Sequence, residues 1–286
     1  HTKMSGQGGM WQSYVNVDLL PRLHGFELMM ASYTIAHLKL GLSLAETWVT
    51  DIEKRLQIYL TNSLEEAKTT KEDQGTLFGL LESITDEARQ ADEVKRDKPI
   101  MVIVGNPPYS GHSSNKGLFE TELNAYKQEP DWGKLQERNS KWLNDDYVKF
   151  FRFAESMIEK NNEWIVAFIT NGSYINNPTF RWMRYKLMHT FDVIYLIDLH
   201  WDTNKLEKNI DGGVDENVFD IKQWTAIFIW IKTNRWKTNR WKIYKYDLYW
   251  RRDHKYNWLE KTQIESITNE IITEWPFHIF SKQNKS

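Results

Sequence analysis

Residues Ile100 to Gly105 form an apolar run, Ile-Met-Val-Ile-Val-Gly, that stops abruptly at Asn106-Pro107-Pro108-Tyr109. Such a run reads as a strand buried within a sheet, and open α/β sheets place their ligands at the carboxyl ends of their strands. Proline holds its own φ near about −65° and drives the residue before it into an extended conformation. Asn106 and Pro107 both precede a proline, so the strand is expected to end in a stiff corner rather than a mobile loop.

Such a corner can be a purely structural Pro-Pro turn, and its chemistry also suits one kind of ligand group. The side-chain carbonyl of Asn106 and the backbone carbonyl of Pro107 can accept both hydrogens of a planar exocyclic amine, while Tyr109 offers a ring for stacking. The lone pair of such an amine is delocalised and attacks a methyl sulfonium poorly. Two acceptors on its hydrogens favour a pyramidal nitrogen, which is stabilisation made mainly in the transition state. Positioning supplies the rest, so neither a strong general base nor a metal is required.

Six further segments read as strands: 23–28, 57–61, 164–170, 193–199, 225–232 and 242–248. Helical spacing lies between them, with Tyr147, Phe151, Ala154 and Ile158 in one stripe and Phe26, Met30 and Tyr33 opening another that runs toward Leu44; both stripes read as core. Alternation of this kind predicts an α/β fold with a Rossmann-like, mostly parallel sheet and helices on both faces. The polar interval 111–144 reads as a loop or lid beside the Asn106 corner.

Composition narrows the classes. A chain of 286 residues, 41% of them apolar, can bury one sizeable core. The longest mostly apolar stretch, Phe26 to Leu44, contains Glu27, His37 and Lys39, so no uninterrupted run spans a bilayer. With no cysteine there is neither a disulfide framework nor a thiolate metal site, which accords with a cytoplasmic setting. A net charge of −2 conceals a basic stretch: residues 232–255 hold nine Lys and Arg against Asp247 and Asp253, interleaved with Trp236, Trp241, Tyr244, Tyr246, Tyr249 and Trp250. The mixture suits phosphate contact with base stacking, through Lys237, Arg240, Arg251 and Arg252, and equally a solvated amphipathic edge hairpin. Its tandem Lys-Thr-Asn-Arg-Trp copies, 232–236 and 237–241, read as a local insertion.

The Asn106-Pro107-Pro108-Tyr109 tetrapeptide resembles that of the amino-methyltransferases. Leu20–Glu27, Ala36–Leu42, Arg55–Glu66, Val104–Gly117, Lys141–Ala154, Thr170–Arg184 and Asp215–Gln223 together resemble the methyltransferase region of the Type ISP, single-polypeptide, restriction-modification enzymes, from about Gly6 to Leu259. The resemblance implies transfer of a methyl group from S-adenosylmethionine to the N6 amino group of an adenine flipped out of double-stranded DNA. It implies that Glu27 accepts from the cofactor ribose, that Thr61 and Asn62 contact its adenine, and that Phe219 packs with Tyr109 on the flipped base. It also implies nuclease, helicase and target-recognition regions on the same polypeptide. Taken alone, Glu27 reads as a surface acid, Asn62 as a helix cap and Phe219 as core. A protein-glutamine N5 methyltransferase poses the same lone-pair problem and stays open, as does a truncated remnant without catalysis.

Two departures matter. The resemblance places a Gly-rich cofactor loop upstream of residue 1, so weak cofactor binding is expected of these residues by themselves; a partial catalytic domain is expected over 1–248, with 249–286 starting a segment toward target recognition. Tryptophan is also abundant, 14 of 286 residues. The resemblance implies glycine at Trp48, Trp164, Trp182, Trp201, Trp224 and Trp250, as expected if UGA encodes glycine in the source and has been translated here as tryptophan.

Overall fold

A computed structural model describes residues 8–49, 51–65, 78–108, 113–129, 140–159, 161–201, 212–233, 241–271, 273 and 278–280. Tyr109, Lys237, Arg240 and the centre of the tandem repeat lie outside the described residues. Backbone contacts divide the chain into two units, 1–98 and 99–286.

The first unit opens with helix α1 (Gly8–Tyr14), continued by a widened turn over Val15–Leu19. Strand β1 (Gly25–Glu27) leads into helix α2 (Met30–Glu46), and β2 (Ile58–Leu60) leads into α3 (Phe78–Asp97). β1 and β2 are parallel, with Glu27 opposite Leu60. Trp11, Val15, Leu20 and Val49 make a small buried cluster. The apolar stripe leading to Leu44 does form a helix, but α2 buries none of its residues, contrary to its reading as core. Ile35, Leu38, Leu40 and Leu42 all stand exposed among the described residues.

The second unit is a five-stranded sheet between helices. Its strands are β3 (Val102–Gly105), β4 (Trp164–Asn171), β5 (Val193–Asp198), β6 (Thr225–Lys232) and β7 (Lys242–Asp247), in the order β3-β4-β6-β5-β7. The sheet is mixed rather than mostly parallel. β6 runs antiparallel to both neighbours, β4 and β5, while β3 with β4 and β5 with β7 are parallel. β6 and β7 do not form a hairpin, because β5 lies between them and their connection must cross it.

Alternation along the strands sends side chains to two cores. Val166, Phe168, Ile194, Leu196, Phe228 and Trp230 pack under α4 (Asp146–Ile158) and α5 (Arg181–Thr190). Phe151 of α4 sits at the centre, with ring centroids 4.6 Å from Trp230 and 5.2 Å from Tyr174. Truncating a buried aromatic of this kind costs about 3–5 kcal/mol. On the other face, Ile197, Leu199, Val218, Leu248 and Ile267 join Trp258 and Leu259 of α6 (Arg252–Lys261).

One expectation changes here. Of the interval 111–144, the described residues 113–129 are anchored, since Leu123 and Tyr126 are fully buried and the Tyr126 hydroxyl donates to Glu155 at 3.0 Å. Beyond residue 248, Ile267, Ile271 and Phe280 are core residues, and Ile271 N donates to Ile243 O at 2.8 Å.

Candidate functional site

Because β3, β4, β5 and β7 point the same way and β6 points the other, one edge of the five-stranded sheet gathers four carboxyl ends and the amino end of β6. Asn106, Pro107 and Pro108 leave that edge from β3, with Asn106 and Pro108 exposed and Pro107 buried. Gly105 lets the corner approach β4 closely. A Cβ there would lie 3.0 Å from the Phe168 ring, tight enough that the ring would have to give way. The Asn106 side chain has no hydrogen-bond partner among the described residues, which leaves its carbonyl available.

Phe219 arrives at the same edge on the loop 215–220, just before β6. β6 is the second strand from β3, and neighbouring strands lie about 4.8 Å apart, so the strand ends that carry Asn106 and the Phe219 loop are roughly 10 Å apart. The phenyl ring is partly buried against the second core. Its backbone is held by Asn217, whose Oδ1 accepts from Phe219 N at 3.0 Å while its Nδ2 donates to Gln223 O at 2.8 Å.

Sequence reasoning missed the clamp on that loop, which is α6. The ammonium of Lys255, fully buried, lies 2.9 Å from Asp215 and donates to the carbonyls of Leu199 and Glu216 at 2.6 Å each. Arg252 Nε donates to Asn217 O at 2.9 Å and its Nη2 pairs with Asp220 at 2.7 Å; Tyr256 donates to Val218 O at 2.5 Å. Arg252 is therefore engaged on the loop, whereas Arg251 is exposed. The signal was present in the spacing: 252, 255 and 256 fall on one helical face.

A charged cluster closes the edge between β5 and β7. Lys245 Nζ lies 3.1 Å from Asp198 and 2.5 Å from Asp247, and His200 Nε2 lies 3.0 Å from Asp247. Burial alone would raise the Asp247 pKa, but the His200 and Lys245 hydrogen bonds outweigh it and hold the carboxyl at about 2. Burial likewise works against the Lys245 ammonium, and the two aspartates more than restore it, leaving its pKa raised. Donor atoms of Asp198, His200 and Asp247 lie within 4.8 Å of one another, but Lys245 already supplies the cation that balances them. Lys245 is thus engaged within this cluster, and Tyr246 is stacked on Trp258 at 4.4 Å.

In the first unit, the structure brings Glu27, Thr61 and Asn62 together at the carboxyl edge of β1 and β2, where Thr61 N donates to Glu27 O at 2.8 Å. One carboxylate oxygen of Glu27 accepts from Met29 N at 3.0 Å, and the other has no hydrogen-bond partner among the described residues. Asn62 Oδ1 caps the following turn through Leu64 N at 3.1 Å, and its backbone carbonyl accepts from Lys95 at 3.3 Å. A cleft of about 330 Å³ lies elsewhere in this unit, lined by Arg55, Gln57, Tyr59, Gln90, Glu93 and Lys98, and contains none of the expected site residues.

A mixed α/β sheet with a proline-locked corner at the edge where its parallel strands end defines a class, and the comparisons give the family. The model of the Eco57I restriction-modification methylase matches residues 22–205, and the chain belongs to that family. Among solved structures, the chain is similar to DrdV in its DNA complex (26% identity, TM-score 0.69), covering 88% of this chain and 24% of that one. It shares its fold with the ATP-dependent Type ISP restriction-modification enzyme LlaBIII bound to DNA (21%, TM-score 0.74; 96% and 18%). It shares it too with a nuclease-deletion mutant of the Type ISP enzyme LlaGI in complex with a DNA substrate mimic (22%, TM-score 0.67; 91% and 24%). The chain thus spans about a fifth to a quarter of each of these solved chains. No curated protein sequence matches it. Among the described residues no helix is long and apolar enough to cross a membrane.

Proposed function

We propose that this chain carries the catalytic centre of an adenine-N6 DNA methyltransferase within a restriction-modification polypeptide. The observation that supports this reading best is the pairing at one sheet edge of an exposed, unengaged Asn106 with an aromatic loop, Phe219, held from below by α6. Asn106 Oδ1 and the Pro107 carbonyl accept the two amine hydrogens of the target base, and Phe219 with Tyr109 packs on its faces. Extruding the base costs a few kcal/mol of unstacking, offset by those contacts. Arg251, with Lys237 and Arg240, contacts the DNA backbone.

Bound S-adenosylmethionine would supply an electrophilic methyl group. The residues present fit its ribose: Glu27 ends a parallel strand with one carboxylate oxygen unengaged, and Thr61 and Asn62 stand beside it. The chain's own contribution is orientation, through two acceptors that turn the amine lone pair toward the methyl carbon. Membership of a restriction-modification family favours DNA over a protein glutamine as substrate. This chain spans only about a fifth to a quarter of the similar solved chains, which favours a longer polypeptide, and the nuclease, helicase and target-recognition regions proposed for it are those that the Type ISP resemblance implies.

Product identity tests the reading. DNA treated with labelled S-adenosylmethionine and the polypeptide carrying this chain, then digested to nucleosides, is expected to place the label in N6-methyladenine. Label in methylcytosine, or in protein glutamine alone, would reject it.

A further inference from the structure

Three tryptophans stand where side chains rarely do. φ is +65° at Trp48, +65° at Trp201 and +107° at Trp250, and no other described tryptophan has a positive φ. For a bulky residue this region is a genuine outlier, because Cβ crowds the neighbouring carbonyl.

The backbone, not the indole, demands the conformation at Trp48. α2 ends at Glu46, after which Trp48 N donates to Ala45 O at 2.9 Å and Val49 N donates to Leu44 O at 3.2 Å. That crossed pair is the helix-ending motif whose left-handed residue is usually glycine. The Trp48 residue is 82% exposed, so burial does little to offset the strain. Trp250 meets a similar demand. Its N–H donates to Asp215 Oδ1 at 2.7 Å and its carbonyl accepts from Glu216 N at 3.2 Å, which ties the corner after β7 to the Phe219 loop. A φ of +107° lies beyond the small left-handed well open to other residues. Trp201 follows His200, itself at +52°, where β5 ends.

We propose that glycine is the natural residue at positions 48, 201 and 250, and that a UGA codon read as glycine in the source of the gene stands here as tryptophan. The same residue type recurs at three unrelated corners, each with a backbone suited to glycine. At Trp164, Trp182 and Trp224 φ is not positive, and the conformational argument does not reach them. This inference is independent of the methyl-transfer reading.

The codons and the natural peptides decide it. UGA at all three positions, with peptides from the source organism carrying glycine there by mass spectrometry, is the expected result. UGG at any of the three, or tryptophan in the natural peptides, overturns it. A second measurement bears on the backbone argument alone: Trp48→Gly should raise the Tm by roughly 2–4 °C, and a fall would contradict it.

Discussion

On the proposed reading Asn106 serves the target base and Glu27 the cofactor, and each assignment makes a separable prediction. A hydrogen bond to a charged group contributes about 1.5–3 kcal/mol. Glu27→Ala is therefore expected to weaken S-adenosylmethionine binding by roughly ten- to a hundredfold in calorimetry, with DNA affinity unchanged. Asp247 makes a pH prediction. Its carboxyl is held at about 2, below its ordinary value of 3.8, so its stabilisation is complete above that ordinary value and is lost as the pH falls toward 2. Wild-type protein should lose stability over this window in urea titrations, and Asp247→Asn should flatten that part of the profile. An unchanged profile would mean that the His200 and Lys245 contacts contribute nothing net.

The elements were largely legible before the structure. Every expected strand is present, because a run of apolar β-formers bounded by polar turns has few other solutions. Sheet order was not legible: that β6 inserts antiparallel between β4 and β5 depends on a crossover, which leaves no periodicity in the chain. α6 was hidden for another reason. A basic stretch reads as solvated, yet burial of Lys255 against Asp215 makes it a fastener for the Phe219 loop. Breaking a buried pair by removing one partner costs about 3–5 kcal/mol. Lys255→Met should lower unfolding free energy by that order in denaturant titrations, and adding Asp215→Asn should recover part of it. Additive losses would show that the two side chains do not depend on each other.

For the whole molecule, the exposed apolar surface is the feature that the strand and helix patterns did not foresee. α2 presents Ile35, Leu38, Leu40 and Leu42 to solvent, and β3 presents Val102 and Val104, the latter 77% exposed. Exposed apolar surface on either unit commonly marks an interaction site or an association liability. The folded chain is expected to bind the dye ANS, and Leu38→Glu with Val104→Glu should reduce that binding while leaving the Tm within a few degrees. A large loss of Tm would show that these side chains are buried in solution.

The account's central claim is that Asn106 orients the amine for attack. Single-turnover methyl transfer to adenine-containing DNA, compared between the polypeptide carrying this chain and its Asn106→Ala variant, tests it most directly. The account predicts a loss of about a hundredfold or more in rate, with circular dichroism and cofactor affinity preserved. Transfer at an undiminished rate would contradict it.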